Sequence, residues 1–135
     1  MLLLTTPPAI ADRSARATKF RQAAFVYLHV AILYEAAAYA MWRANMLPST
    51  RFGPAWPWLL LGPLIAGLVF VGLLRWQNAT FARVVWALHS LRLPGLIKSA
   101  FVTPALSPLP DAAYVLAIVI VTINLWMLAR AAWDL

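Results

Sequence analysis

A single carboxylate, Glu35, stands inside an otherwise apolar run, Val30-Ala31-Ile32-Leu33-Tyr34-Glu35-Ala36-Ala37-Ala38-Tyr39. A carboxyl in such surroundings must be protonated, paired or open to a polar cavity, because burying the bare charge is costly. One reading makes Glu35 a proton or cation site, trading a proton for a substrate. Tyr39, one turn on, is placed to hydrogen-bond it. The other reading makes it a paired carboxyl that ties its helix to a neighbour, on this chain or on another. His29 and His89 are the two histidines. At similar depth on parallel helices they could hold a b-type haem, and either alone could hold a (bacterio)chlorophyll magnesium. The competing reading is ordinary packing. Asn124 lies in the last apolar stretch with Thr122. An amide there needs a partner and acts as interhelical glue, while the Thr122 hydroxyl can bond its own helix backbone.

Nothing else in the chain assembles into a reactive set. Four acids are present, and Asp12, Asp111 and Asp134 stand at segment edges. There is no Ser–His–Asp arrangement, metal-spaced cluster or phosphate loop in the sequence, so no enzyme activity is expected. Cysteine is absent, which excludes disulfides and thiolate-held metals or clusters. No cofactor is required by the sequence. Haem b, chlorophyll or carotenoid enter only through the histidines and the abundant aromatic residues.

The elements that must position these groups are membrane helices. The 135 residues are 64% hydrophobic and 11% charged, against roughly 45–50% and about 25% in soluble domains. A soluble fold of this size could not hide so much apolar surface. The net charge of +7 sits mostly beside apolar segments, where it sets membrane orientation rather than binding nucleic acid. The expected fold is all-α, with a tail and basic lead-in over residues 1–22 and one helical membrane domain over 23–135. Spans are expected at about 23–46, 56–75 and 112–133. Pro7-Pro8 reads as an extended tail, 48–57 as a proline-rich loop, and Pro63 as a kink rather than a break. Asp12 and Asp111 are expected to cap helices.

Residues 79–102 admit two readings. Arg83, Arg92 and Lys98 interrupt them, and Phe81, Val84, Val85, Leu88 and Leu91 form one apolar face on a helical wheel. The favoured reading is an amphipathic helix in the plane of the interface, capped by Asn78 and ended by Pro94-Gly95. The alternative is a fourth span. Basic residues on the amino-terminal flank put the amino terminus in the cytoplasm of an inner-type membrane under either reading. The carboxy terminus lies outside with three spans and inside with four. Arg75, Arg83, Arg92 and Lys98 would face anionic lipid head groups in the three-span case. Small residues recur at Ala36, Ala40 and Ala44, and at Gly62 and Ala66, the spacing that lets helices approach closely.

The stretch Ala31-Ile32-Leu33-Tyr34-Glu35 resembles the first span of the small multidrug resistance exporters, which implies a carboxylate-coupled four-helix transporter. The likeness covers about ten residues. The long proline-rich stretches 48–57 and 94–110 and the charged third segment depart from that pattern, so no family is assigned. The function expected from the sequence is a non-catalytic accessory subunit of a larger membrane assembly, such as a respiratory or photosynthetic complex, with other membrane proteins and anionic lipids as partners. The alternatives are a small homo-oligomeric proton-coupled transporter using Glu35, and a haem or pigment carrier using His29 or His89.

Overall fold

The computed structural model describes residues 10–46, 56–102 and 109–135. The tail at Pro7-Pro8 and residues 48–55 of the loop expected over 48–57 lie outside the described residues, and Trp56 and Pro57 already belong to a helix. Every regular element is helical: α1 (Ile10–Arg43), α2 (Trp56–Trp76), α3 (Ala79–Ser90), α4 (Arg92–Ile97), a π-helical turn (Lys98–Val102) and α5 (Asp111–Trp133). Three of them, over Arg13–Arg43, Leu59–Trp76 and Asp111–Trp133, are long and apolar enough to cross a membrane.

α1 is one continuous helix of 34 residues, about 51 Å long. It carries the basic lead-in and the apolar stretch together, and it begins upstream of Asp12, which lies in the first turn instead of capping it. α2 continues unbroken through Pro63. α5 starts at Asp111 after Pro110, with no side-chain cap; its acid in the first turn meets the positive end of the helix dipole instead. Asn78 does cap α3, its side-chain oxygen accepting from Phe81 N at 3.0 Å. Helices α1, α2 and α5 stop at or next to Asn45, Gln77 and Asp134, each with φ between 46° and 55°, the left-handed turn that ends helices.

The ends of the helices fix the path of the chain. Lys19 Nζ donates to Asp134 Oδ1 at 2.7 Å, Arg130 to Gln22 at 3.4 Å, and Arg16 to the Gln77 carbonyl at 3.4 Å. The start of α1, the end of α2 and the end of α5 therefore share one end of the bundle. Both α2 and α5 descend to that end, and residues 77–102 run back up along α5. Arg83 Nε donates to the Ala132 carbonyl at 3.2 Å near the bottom, Trp86 meets Trp133 edge-on at 5.3 Å, and Arg92 lies over Tyr34 at 4.8 Å higher up. Residues 79–102 thus run beside α5 rather than apart from the bundle, and they are not among the three helices long and apolar enough to cross a membrane.

The physical reason lies in which face of α3 turns inward. Val84, Leu88 and Leu91 point outward, and the small residue Ala82 is buried with Val85. Among apolar surroundings, large aliphatic residues gain nothing from the interior, while small ones let helices approach. Three of the five residues of the wheel's apolar face thus point outward, while Val85 is buried and Phe81 packs against the core. Pro94-Gly95 does not end the segment either. The break is at Leu91, and Pro94 falls in the first turn of α4, where its missing N–H costs no helix bond.

The tightest packing is at the end where the start of α1 meets the ends of α2 and α5. Phe20, Ala23 and Ala24 of α1, Leu73 of α2, Ala82 of α3 and Leu128 of α5 are fully buried in one cluster. Above it, near Tyr34, the helices part and enclose polar groups.

Candidate polar site between the helices

The inner face of α1 is set by helical spacing. Tyr27, Val30, Ala31 and Tyr34 recur at i, i+3, i+4 and i+7, and Glu35 follows at i+8. Together with Gly62, Ile65 and Ala66 of α2, His89 of α3, Arg92 of α4 and Asn124 of α5, they line a cavity of about 130 Å³. Glu35 lies about 24 Å along α1 from Lys19, so the cavity sits well inside the length of the bundle.

Each wall has a distinct chemistry. The Glu35 carboxylate occupies the space that a Cβ at residue 62 would need; glycine there lets the acid lie flat against α2. The Arg92 guanidinium covers the Tyr34 ring, with its carbon 4.8 Å from the centroid, a cation–π contact. The His89 ring tilts against Tyr27 at 4.9 Å. Asn124 is 1% exposed. Asn124 Oδ1 is buried here with no hydrogen-bond partner among the described residues, whereas the Tyr34 hydroxyl faces the Arg92 side chain and the His89 ring faces the Val85 carbonyl. Buried polar atoms are almost always satisfied, so the unmet amide oxygen marks a place that can meet a polar donor. The formal charges of Glu35 and Arg92 cancel, and an imidazole with an ordinary pKa of about 6.5 is mostly neutral at pH 7.

A second depression adjoins this one. It is a groove of about 510 Å³ between α1 and α2, lined by Leu28, Ile32, Ala36, Tyr39, Leu59, Pro63 and Gly67. Ala31, Glu35 and Ala66 border both spaces. Glu35 therefore stands at the junction between a polar interior and an apolar lateral groove.

The structure sorts the residues expected from the sequence. It brings Glu35, Asn124, His89 and Arg92 together. His29 is not among them. It follows Tyr27 by two residues, about 200° around α1, and its exposed ring Nδ1 lies 2.6 Å from the Phe25 carbonyl. The two histidines thus share no gap in which a haem could be ligated by both. Tyr39 is exposed and pairs with Trp42 at 5.9 Å; it borders the groove and makes no hydrogen bond to Glu35. Ala40 and Ala44 are exposed, and Ala36 lines the groove, whereas Gly62 and Ala66 face the helix contact. Thr122 donates to the Ile118 carbonyl at 2.7 Å. Arg75 and Arg83 lie at the end where the termini meet, and Arg92 and Lys98 lie further up the bundle, so the four do not form one surface. Among the described residues no group of three or more metal-ligating side chains occurs.

Sequence reasoning passed over Tyr27 and Tyr34. Their spacing of seven residues, with Glu35 one step on, was the available signal. At the terminal end, Lys19 holds the Asp134 carboxyl below its ordinary range, through the hydrogen bond first and its charge second.

Comparison with known proteins finds no matching family model, no matching curated protein and no matching solved structure.

Proposed function

We propose that this chain is a small membrane carrier with a ligand site of its own, in which Glu35 exchanges a proton as the ligand is bound or released. The observation that carries this reading is the cavity where Glu35, Arg92, His89 and Asn124 converge, with the buried Asn124 Oδ1 unpartnered. The groups facing Glu35 are Tyr27 and Tyr34 of α1, His89 of α3, Arg92 of α4 and Asn124 of α5. The role assigned is binding and proton exchange, with no covalent chemistry. The basic end, with Arg13, Arg16, Lys19, Arg21 and Arg75, belongs on the cytoplasmic side of an inner-type membrane, where anionic head groups meet it.

The reading as a non-catalytic subunit of a larger assembly rests on the absence of a reactive set in the sequence, on how little interior three spans enclose and on polar groups that want partners. Of those groups, Glu35 and Asn124 line the cavity, while His29 lies elsewhere on α1. The exposed apolar face of α2, including Leu60, Leu64 and Leu68, suits that reading, and acyl chains cover such a face equally well.

The test needs no knowledge of the ligand. In the reconstituted chain, infrared difference spectra are recorded as the bathing pH is stepped. A carboxyl C=O band that appears and disappears with pH, and is missing from Glu35→Gln, is expected. A Glu35 that does not respond to the bathing pH would refute proton exchange. Fixed-ratio co-purification with another protein in mild detergent would favour the subunit reading.

A further inference from the structure

We infer that the cavity takes a small hydroxy monocarboxylate, bound together with one proton. The anion meets Arg92, its hydroxyl donates to Asn124 Oδ1, and Glu35 holds the proton. This inference rests on the reading of the cavity as a proton-exchanging ligand site and names the ligand's class.

Charge decides the sign of the ligand. Glu35 and Arg92 line the same cavity, close enough for the arginine charge to act on the carboxyl. Arg92 stays protonated throughout, because arginine does not lose its proton in proteins. Before binding, an ionised Glu35 and Arg92 cancel. When Glu35 takes up a proton, Arg92 is left as an uncompensated positive charge among apolar helices, which is costly. A monoanion arriving with that proton restores neutrality. A neutral ligand arriving with the proton leaves the site positive. A cation exchanged for the proton keeps it positive on both sides of the exchange. Only the anion and the proton together leave the site neutral before and after. Tyr27, Tyr34 and His89 are the other titratable groups facing Glu35 here, and at ordinary values of about 10 and 6.5 they are mostly uncharged at pH 7. The residues that α2 and α5 bring to this cavity do not titrate.

Volume limits the size. The cavity measures about 130 Å³, and an engineered cavity of about 150 Å³ takes one benzene. A three-carbon hydroxy acid is of about that size.

The unmet amide oxygen supplies the hydroxyl. Asn124 is 1% exposed, and its Oδ1 accepts from nothing among the described residues. A carboxylate has no donor to offer it, whereas a hydroxyl beside the carboxylate does. The guanidinium over Tyr34 carries several N–H donors. Its contact with Tyr34 therefore leaves others for a carboxylate, the pairing in which a planar fork meets two oxygens. Arg92 is exposed while it lines the cavity, so the anion reaches the site past α4.

The test is equilibrium binding of radiolabelled lactate to the full chain in lipid nanodiscs, in weakly buffered medium with a pH-indicator dye. At a pH where the infrared band reports an ionised Glu35, saturable binding with uptake of about one proton per anion is expected, and affinity should fall roughly tenfold per pH unit. Glu35→Gln carries the neutral form permanently. It should still bind lactate, without proton uptake and without that fall. Asn124→Leu should weaken lactate roughly tenfold, the scale of one lost hydrogen bond. Propionate, which lacks the hydroxyl, should bind more weakly than lactate and be indifferent to that substitution.

Unlabelled competitors fix the class. Displacement by uncharged lactamide or by isopropylammonium as strong as by lactate would overturn the anion. Equal displacement by inorganic phosphate would overturn the carboxylate, and equal displacement by gluconate the size. Propionate binding as tightly as lactate would overturn the contact with Asn124. Lactate bound with no proton taken up, or no saturable binding at all, would overturn the inference. If the infrared response of Glu35 to pH persists in any of these cases, the proton-exchanging site stands and only the ligand class falls. If that response is also missing, both fall.

Discussion

Gly62→Ala places the smallest possible side chain into the contact between α1 and α2. The added Cβ would collide with Glu35 Oε1 and lie 2.9 Å from Glu35 Cδ. The atom in the way is the end of a flexible side chain, so the carboxyl moves and the backbone does not. Overpacking of a close contact, the off-rotamer Glu35 included, costs about 1–3 kcal/mol. Replacing glycine by alanine within a helix returns about 1 kcal/mol. The net loss is thus roughly 0–2 kcal/mol, too little to unfold the chain. Gly67→Ala is the matched control, because it makes the same chemical change five residues on with nothing within 4 Å of the new Cβ. It should stabilise by up to about 1 kcal/mol. Reversible unfolding in mixed micelles measures both, and the infrared response to pH reports where the Glu35 carboxyl sits. Gly62→Ala is expected to be the less stable of the pair by about 1–3 kcal/mol and to shift or remove the Glu35 band, which Gly67→Ala leaves in place. Equal stabilities within about 0.5 kcal/mol and an unmoved band in both would refute the placement of Glu35 against α2.

Asn124→Leu removes a buried amide whose oxygen has no partner, so unfolding should show unchanged or slightly raised stability even as ligand binding falls; a loss above about 1 kcal/mol would mean that the amide is structural. Asp134→Asn should remove an acid-sensitive part of stability. The lowered Asp134 value means that its contribution is present above the ordinary carboxylate pKa of about 4 and is lost as pH falls through the folded value, so the gap in melting temperature between wild type and variant should close in acid and shrink with salt. The chain has no native cysteine, so Lys19→Cys with Asp134→Cys should form a disulfide in the reconstituted protein, and single cysteines at Arg13 and Leu135 should react with an impermeant reagent from the same side. Labelling from opposite sides would overturn the shared end.

The three long helices were legible because length and apolar content suffice to define them. The Asn78 cap was legible because an amide side chain beside an orphan helix N–H has one evident use. The path of residues 79–102 was harder. Arg83, Arg92 and Lys98 argued against a lengthwise segment only while each was treated as a charge facing hydrocarbon. In the structure Arg83 meets the Ala132 carbonyl and the Trp133 ring, and Arg92 covers Tyr34. Such partners come from other helices, and no local pattern in 79–102 contains them. Glu35 and Asn124 stood out as polar residues in apolar stretches, but nothing local to either said that they share a cavity. Tyr27 and Tyr34 were hidden for the opposite reason, since aromatic residues in a span attract no attention until their common face is plotted.

The meeting of the first and last helices bears on how the molecule is made. α5, with its 23 residues, is made after α1 to α4, and it brings Asn124, Leu128 and the carboxylate that pairs with Lys19. Until it arrives, the hairpin of α1 and α2 exposes Glu35 to whatever surrounds it, and the segment carrying His89 and Arg92 has no helix to climb. The polar interior is therefore closed only once α5 has been made. A chain cut short before α5 is left with its ionisable groups on display, a form that membrane quality control can tell from the finished protein.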